Sequence, residues 1–347
     1  MAAKALVAMS GGVDSSVAAA LMLESGCLCT GATLRLCDNG GADLDDAKQA
    51  ADKLGIPHRV LDFTAAFRDK VIQPFIETYE AGATPNPCVN CNRYIKFAFP
   101  LFRADVPDFD FFATGHYAQT ERSGSRWLLK KAADLKKDQS YVLFSLDQET
   151  LARARFPLGG LSKSEVREIA ASRGFVNAGK EESQDICFVP GGDYGAFMEQ
   201  YAGKRYDEGD ILDLAGNVIG RHKGHVRYTL GQRRGLGVAA NEPVYVAAKD
   251  AARNTITLGP ESSLYSKALI MDRINLIACE RLEKPMRVKV RTRYLQQEHS
   301  ALAVQTAADE IRVDFDEGQR ALTPGQAAVL YDGDIVVGGG IILSVLP

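Results

Sequence analysis

The 347-residue chain contains no apolar run long enough to span a bilayer, no low-complexity tract and no internal repeat, which excludes a membrane-spanning helix and a repeat architecture. Its formal net charge is only −3, from 41 Lys and Arg against 44 Asp and Glu. No global field therefore marks it for nucleic acid, and any RNA contact has to come from local patches. It also lacks a second Cys-x-x-Cys or a His-x-x-x-His to complete a zinc site with Cys88-x-x-Cys91. The start, MAAKALVAMS, enters an apolar stretch without a charged leader or cleavage site, so a cytoplasmic location with no membrane partner is expected. Seven unevenly placed cysteines suit that reducing compartment. What is there is a chain 46% hydrophobic and 24% charged, enough for a sizeable core in two or three domains.

The organising stretch is residues 8–15, Ala8-Met9-Ser10-Gly11-Gly12-Val13-Asp14-Ser15. An apolar strand (residues 4–9) precedes it and an amphipathic helix (13–25) follows, stopped by Gly26. Two glycines let backbone N–H groups come close to a ligand, and a helix start presents unpaired donors with a partial positive charge. That is an anion site, most naturally for phosphate. The lysine and spacing of G-x-x-x-x-G-K-[ST] are missing, so it is not an ordinary P-loop; a tight strand-to-helix turn is the bland alternative.

Strands at 30–36, 58–63 and 110–115 alternate with helices at 43–54 and 64–80. Such alternation predicts an α/β domain with a parallel sheet whose ligands bind at the carboxyl ends of the strands. Cys27, Cys29 and Cys37 read as small buried residues. In GATPNPCVNCN, Pro85 and Pro87 stiffen a loop, and Asn92 reads as the cap of a helix beginning near Arg93. Cys91 beside that N-terminus has a reason to be a thiolate, with a zinc half-site as the alternative. His116 follows a strand end and either meets substrate or is merely packed, while capping alone could account for Asp138 in Lys137-Asp138-Gln139. Ser162 to Glu165 is a capping box. EESQDICFVPGG reads as a polar segment and a short strand in which Cys187, taken alone, would be buried.

Near Pro190 the pattern changes. Residues 209–237 carry seven glycines with Arg221, His222, Lys223, His225, Arg227, Arg233 and Arg234, and look too polar to bury much on their own. From residue 266, about six short β runs with an Asp332-Gly333 hairpin signal predict a small antiparallel barrel. Arg287, Lys289, Arg291 and Arg293 alternate along one run. Period two places them on one face, for a phosphate backbone or as a solvated edge. Domains are expected at 1–192, 193–262 and 263–347.

SGGVDS resembles the pyrophosphate loop of the ATP pyrophosphatases, shared by GMP, NAD and argininosuccinate synthetases and by tRNA-modifying enzymes. Together with TPNPxxxCN, ATGHY, KDQSY, SQDICF, YTLGQRRGLG, VRTRY, TPGQ and the terminal GGGII, it makes nearly the whole chain similar to the tRNA-specific 2-thiouridylase family. The resemblance implies a Rossmann-like domain of the adenine nucleotide alpha hydrolase type, a small central domain and a C-terminal antiparallel β-barrel. It implies ATP and Mg2+ as cofactors, with residues 8–15, Leu34 and Gly115 on the ATP. It implies a tRNA substrate, contacted by Asn86, Pro87, Cys88, His116, Lys137, Asp138, Gln139, Arg293, Tyr294 and Gln326, and a sulfur-carrier or cysteine desulfurase protein as donor. Cys187 would carry a persulfide and Cys91 would act as nucleophile, leaving a disulfide or passing through hydrosulfide. One departure stands out: Cys88 occupies the position where many members have an aspartate. Cys88, Cys91 and Cys187 could instead ligate an iron–sulfur cluster. A rival from another class is an ATP-dependent amide ligase acting on a small molecule.

Overall fold

The computed structural model describes residues 2–37, 41–102, 105–106, 108–175, 186–239 and 242–346. The first part is a five-stranded, wholly parallel sheet. Its strands are β1 (Lys4–Ala8), β2 (Leu28–Arg35), β3 (His58–Asp62), β4 (Phe111–Ala113) and the short β7 (Ala154–Arg155), ordered β3-β2-β1-β4-β7. β1 is central, and its residues alternate between two cores. Leu6 joins an aromatic cluster with Phe67, Phe75, Phe102 and Phe112, whereas Ala5 and Val7 face Val17 to Ala20 of α1 (Val13–Glu24). The run of alanines lets α1 sit close on the sheet. α2 (Gly41–Leu54) contributes Ala47, Ala50 and Ala51 to the same layer.

The helical stretch expected over 64–80 forms as α3 (Thr64–Phe67), a π-helical turn (Arg68–Ile72) and α4 (Gln73–Glu80). The next helix differs from expectation. It begins at Pro87, as α5 (Pro87–Cys91), and its cap is Asn86, whose side chain accepts from the Cys88 N–H. Asn92 instead opens a π-helical turn (Asn92–Lys96), and α6 (Phe99–Phe102) follows. Proline is favoured in a first turn, where its missing N–H costs nothing, so the Pro-Asn-Pro sequence starts the helix rather than delaying it.

A hairpin, β5 (Gln119–Ser123) and β6 (Arg126–Lys130), precedes α7 (Ser140–Leu143) and α8 (Gln148–Arg153). α9 (Lys163–Ser172) carries the full capping box, Ser162 and Glu165 each satisfying the other's backbone. Such a cap stabilises the helix by about 1 kcal/mol. Residues 181–185 of the EESQD segment lie outside the described residues. Cys187 is not in a strand: Ile186–Val189 is a turn closed by the Val189 N–H on the Ile186 carbonyl (2.9 Å). Adjacent Phe188 and Val189 are both buried, which an alternating strand would not allow. Phe188 inserts edge-on between Phe67 and Phe75.

After α10 (Tyr194–Ala202), capped by Asp193, comes a four-stranded sheet ordered β10-β11-β8-β9. It comprises β8 (Gly209–Leu212), β9 (Val218–His222), β10 (Tyr245–Asp250) and β11 (Thr255–Gly259). Contrary to expectation it has its own core, Ile211, Tyr228, Leu236, Val246, Ile256 and Leu258. The sequence spread these residues over nearly fifty positions, so no local window looked apolar. The last part is a closed antiparallel barrel of six strands: β12 (Tyr265–Leu276), β13 (Met286–Arg291), β14 (His299–Ala307), β15 (Glu310–Arg320), β16 (Ala327–Asp332) and β17 (Ile335–Leu346). β12 closes it by pairing with β17, and Ile335 of β17 also meets Lys130 of β6, joining barrel to first domain.

Candidate active site

The glycine-rich turn leaves the carboxyl end of β1, and strand order reverses between β1 and β4, the place where open parallel sheets hold ligands. Gly11 has φ +75°, a conformation costly for other residues. No side chain caps α1, whose preceding residue is Gly12. Ser15 shapes the turn: its Oγ accepts from the Ser10 N–H (3.1 Å) and donates to the Gly12 carbonyl (2.9 Å). Gly115, after β4, lies so close that a Cβ there would sit 2.8 Å from the Asp14 carbonyl carbon. Asp14 is gripped from two sides. Lys163 Nζ donates to both its oxygens (2.7 and 2.8 Å) and the Tyr117 hydroxyl to Oδ1 (2.8 Å). Lys163 went unnoticed in the sequence, where it merely follows a helix cap; a cation beside an anion loop is the signal that could have found it.

The three candidate thiols come together. Cys91 is buried, while Cys88 and Cys187 are exposed, and all three are free. Cys187 thus overturns its expected burial. Burial pushes the Cys91 thiol up to about 12, and Cys187 and Cys88 add to the rise. The expected N-terminal activation of Cys91 is therefore absent: Cys91 ends α5 and Cys88 stands in its first turn. Although Cys88 and Cys187 are exposed, the surrounding chain desolvates both thiols enough to raise their pKa, and Cys88 raises Cys187 further.

One cation opposes all three shifts, Lys96. In an α-helix a residue five positions beyond Cys91 would point away from it. The π-helical turn, closed by the Phe97 N–H on the Asn92 carbonyl (3.0 Å), returns Lys96 to the cysteine side. Among the described residues Lys96 has no hydrogen-bond or ion-pair partner. Lys96 also acts on His116, which burial, first, and this lysine, second, hold well below its ordinary pKa of 6.5. His116 is hydrogen-bonded through Nδ1 to Thr114 Oγ1 (2.8 Å) and adjoins Gly115. The cysteines and the glycine-rich turn are thus two ends of one site.

Among the described residues, no three His, Cys, Asp or Glu side chains converge closely enough to hold a metal ion. No described helix is long and apolar enough to cross a membrane. A cavity of about 410 Å³ lined by Lys4, Cys27, Cys29 and Phe109 opens at the opposite, amino-terminal edge of the sheet.

The remaining candidates fall into two sets. Tyr294 is exposed, and Asn86, Lys137 and Gln139 are half-buried, around the same segments. Asp138, Pro87 and His116 are buried. Arg293 donates to the Ala321 carbonyl (2.7 Å), and Gln326 Nε2 to the carbonyls of Thr84 (3.1 Å) and Pro85 (3.0 Å), bracing the proline loop from the barrel. Gly325 permits that approach, since a Cβ there would lie 2.9 Å from the Thr84 carbonyl oxygen. The cation stripe holds in part: Arg287 and Lys289 are exposed on one face of β13 with Val288 and Val290 buried on the other, and the rest departs from expectation. Arg287 pairs with Asp316, Lys289 donates to Ser300, Arg291 is drawn inward onto Asp138 and Glu298, and Arg293 lies beyond the strand. By contrast Arg233 and Arg234 are exposed.

Comparison with known proteins identifies the family. The chain matches the tRNA methyl transferase HUP domain family over residues 3–191, the tRNA methyl transferase PRC-barrel domain over 195–260 and the aminomethyltransferase beta-barrel domain over 266–342. It is 46% identical to the tRNA-specific 2-thiouridylase MnmA of Acetivibrio thermocellus, over 98% of this chain and 99% of that protein. It is 45% identical to the MnmA of Treponema denticola, over 99% and 98%, and 44% identical to that of Clostridioides difficile, over 98% of each. Whole-length identity at this level, over the same three consecutive domains, shows that the chain belongs to the tRNA-specific 2-thiouridylase family.

Proposed function

We propose that the chain binds ATP at residues 8–15 with Leu34 and Gly115, and uses it to replace the C2 oxygen of a tRNA wobble uridine by sulfur. A carbonyl oxygen leaves poorly. Attack of O2 on the α-phosphorus, with loss of the N3 proton and release of pyrophosphate, converts it to an adenylate that leaves as AMP. The glycine turn, the start of α1 and Lys163 supply the positive end for the departing pyrophosphate. Magnesium would enter as part of the substrate, on the phosphates, with Asp14 Oδ2, which among the described residues accepts only from Lys163, beside them.

The terminal sulfur of a Cys187 persulfide, loaded by a sulfur-carrier or cysteine desulfurase protein, then attacks C2. A carbon–sulfur bond forms as the bond to the adenylated oxygen breaks. Cys91 next attacks Cys187 Sγ, its proton passing to the base, which lost one from N3 at adenylation; a Cys91–Cys187 disulfide forms, and the transferred sulfur leaves with its electron pair on the base. External reductant resets the pair. A persulfide is anionic near neutral pH, and Lys96 is its counter-charge in this thiol-lined pocket. Cys88 stands where a carboxylate would, and offers no equivalent base. Among the described residues the thiols do not group as metal ligands, and no step here is routed through an iron–sulfur cluster; iron and acid-labile sulfide analysis of anaerobically purified protein tests that alternative. The domain limits 1–192, 193–262 and 263–347 are part of this proposal.

The observation that supports this reading is the meeting of Cys88, Cys91 and Cys187 around Lys96, beside His116 and the nucleotide turn. The test is mass detection of 2-thiouridine in digests of tRNA incubated with protein, ATP and sulfide. Pyrophosphate release without any thiolated nucleoside would sink it.

A further inference from the structure

The barrel reaches the nucleotide turn through an unbroken line of polar contacts, most of them buried. β13 ends in Arg291, 11% exposed, whose guanidinium divides: Nη1 donates to Asp138 Oδ2 (2.7 Å) and Nη2 to Glu298 Oε1 (2.8 Å). Lys131 pairs with the same Glu298 (2.5 Å) and donates to the Gly333 carbonyl (2.7 Å). The Tyr331 ring lies 4.6 Å from the Lys131 ammonium and 4.9 Å from the Arg291 guanidinium. Asp138, with no side-chain surface exposed, also accepts from the backbone N–H groups of Ala132 (3.1 Å) and Ser140 (3.2 Å).

From Asp138 the line continues into the site. The Gln139 N–H donates to the Tyr117 carbonyl (2.8 Å), and its Oε1 accepts from the Tyr117 N–H (2.9 Å). The Tyr117 hydroxyl donates to Asp14. A surface ion pair would tolerate slippage, but a buried carboxylate cannot lose its cation without a large desolvation cost, so it fixes both partners in place.

We propose that Arg291 is a positioning residue, through which the barrel sets the conformation of the Lys137–Gln139 segment and the nucleotide turn together. Asp138 then serves tRNA indirectly, as the anchor of its neighbours. tRNA engaged at Arg293 and Tyr294, two and three residues beyond Arg291, is thereby coupled to ATP. This role rests on the reading of residues 8–15 as the ATP site.

The test uses the full-length chain. Arg291→Met alone strands a buried carboxylate, so the informative variant combines Arg291→Met with Asp138→Asn, and thermal unfolding establishes that it is folded. Arg291→Lys, which keeps the charge and loses the fork, is measured beside it. Without ligand, amide hydrogen exchange over residues 10–15 and 115–118 is expected to quicken about tenfold in the double variant and less in Arg291→Lys. Arg312→Met, which removes an exposed ion pair with Asp314, is the control for barrel substitution. ATP affinity without tRNA is expected to fall about tenfold; the tightening of tRNA by ATP is expected to shrink, and the tightening of ATP by tRNA to shrink by the same factor, because coupling between two ligands is reciprocal. Folded variants with wild-type exchange over these residues would overturn the positioning role. Faster exchange in the variants of a protein that binds no ATP would overturn the nucleotide reading and leave the positioning role standing.

Discussion

The glycine-rich turn and the thiol cluster, proposed as the nucleotide end and the sulfur end of one site, are built on opposite principles. At the first, residues within a few positions of one another shape a polar turn, with Ser15 bonded to Ser10 and Gly12, and Asp14 is already neutralised by Lys163. At the second, thiols from two distant segments are held protonated by desolvation, with Lys96 the cation that faces them among the described residues. The first end is ready for its ligand before it arrives. The second holds its thiols neutral, so in the proposed reaction a persulfide would be the first negative charge that Lys96 meets there.

Separating the two ends gives the largest expected effect. Cys187→Ser should abolish 2-thiouridine formation, by at least about a thousandfold, while tRNA-dependent pyrophosphate release persists. Asp14→Asn should lose both. Thiolation surviving in Cys187→Ser would take sulfur transfer off that residue and erase the distinction, whereas ATP turnover that needs no tRNA and is indifferent to Cys187→Ser would favour a small-molecule ligase.

Lys96 sharpens the contrast within the sulfur end. Lys96→Met is expected to slow sulfur transfer about 10- to 100-fold with pyrophosphate release little changed, and Lys96→Arg to recover most of it. Alkylation of Cys91 at pH 9 should also slow in Lys96→Met, since the cation opposes the rise in the thiol's pKa. Equal alkylation rates would remove Lys96 from the sulfur chemistry.

The smallest effect concerns His116, between the two ends. Burial holds it neutral well below pH 6.5, so as pH falls through about 6.5 the unfolded chain takes up a proton that the folded chain refuses. Stability should therefore decline from pH 7 to pH 5, this residue contributing up to about 1.4 kcal/mol per pH unit. Urea unfolding of His116→Gln should lose that share of the slope, leaving what His58 and His222, shifted in the same direction, supply. An unchanged slope would mean that His116 is not buried neutral.

Much of this was legible in the chain. The glycine turn, the alternation of strand and helix that makes a parallel sheet, the capping box at Ser162 and the Asp332-Gly333 hairpin all act within short stretches, where spacing and backbone preference decide the outcome. The cysteine helix was misplaced because proline in a first turn reads, in sequence, much like proline in a loop. Lys96 was missed because its approach to Cys91 depends on a π-helical turn, which no periodicity of 3.6 anticipates.

The sequence by itself determined which chemical groups are available: a glycine-rich turn at a helix start and three cysteines, Cys88, Cys91 and Cys187, in two distant segments. Tertiary structure alone decided which of them are charged, covered or free. The alternating cations of β13 looked like an RNA surface, yet folding turned Arg291 inward onto Asp138 and gave its neighbours partners of their own. Charge state and partnership depend on desolvation and on neighbours more than a hundred residues away, and those are set only when the barrel closes against the sheet.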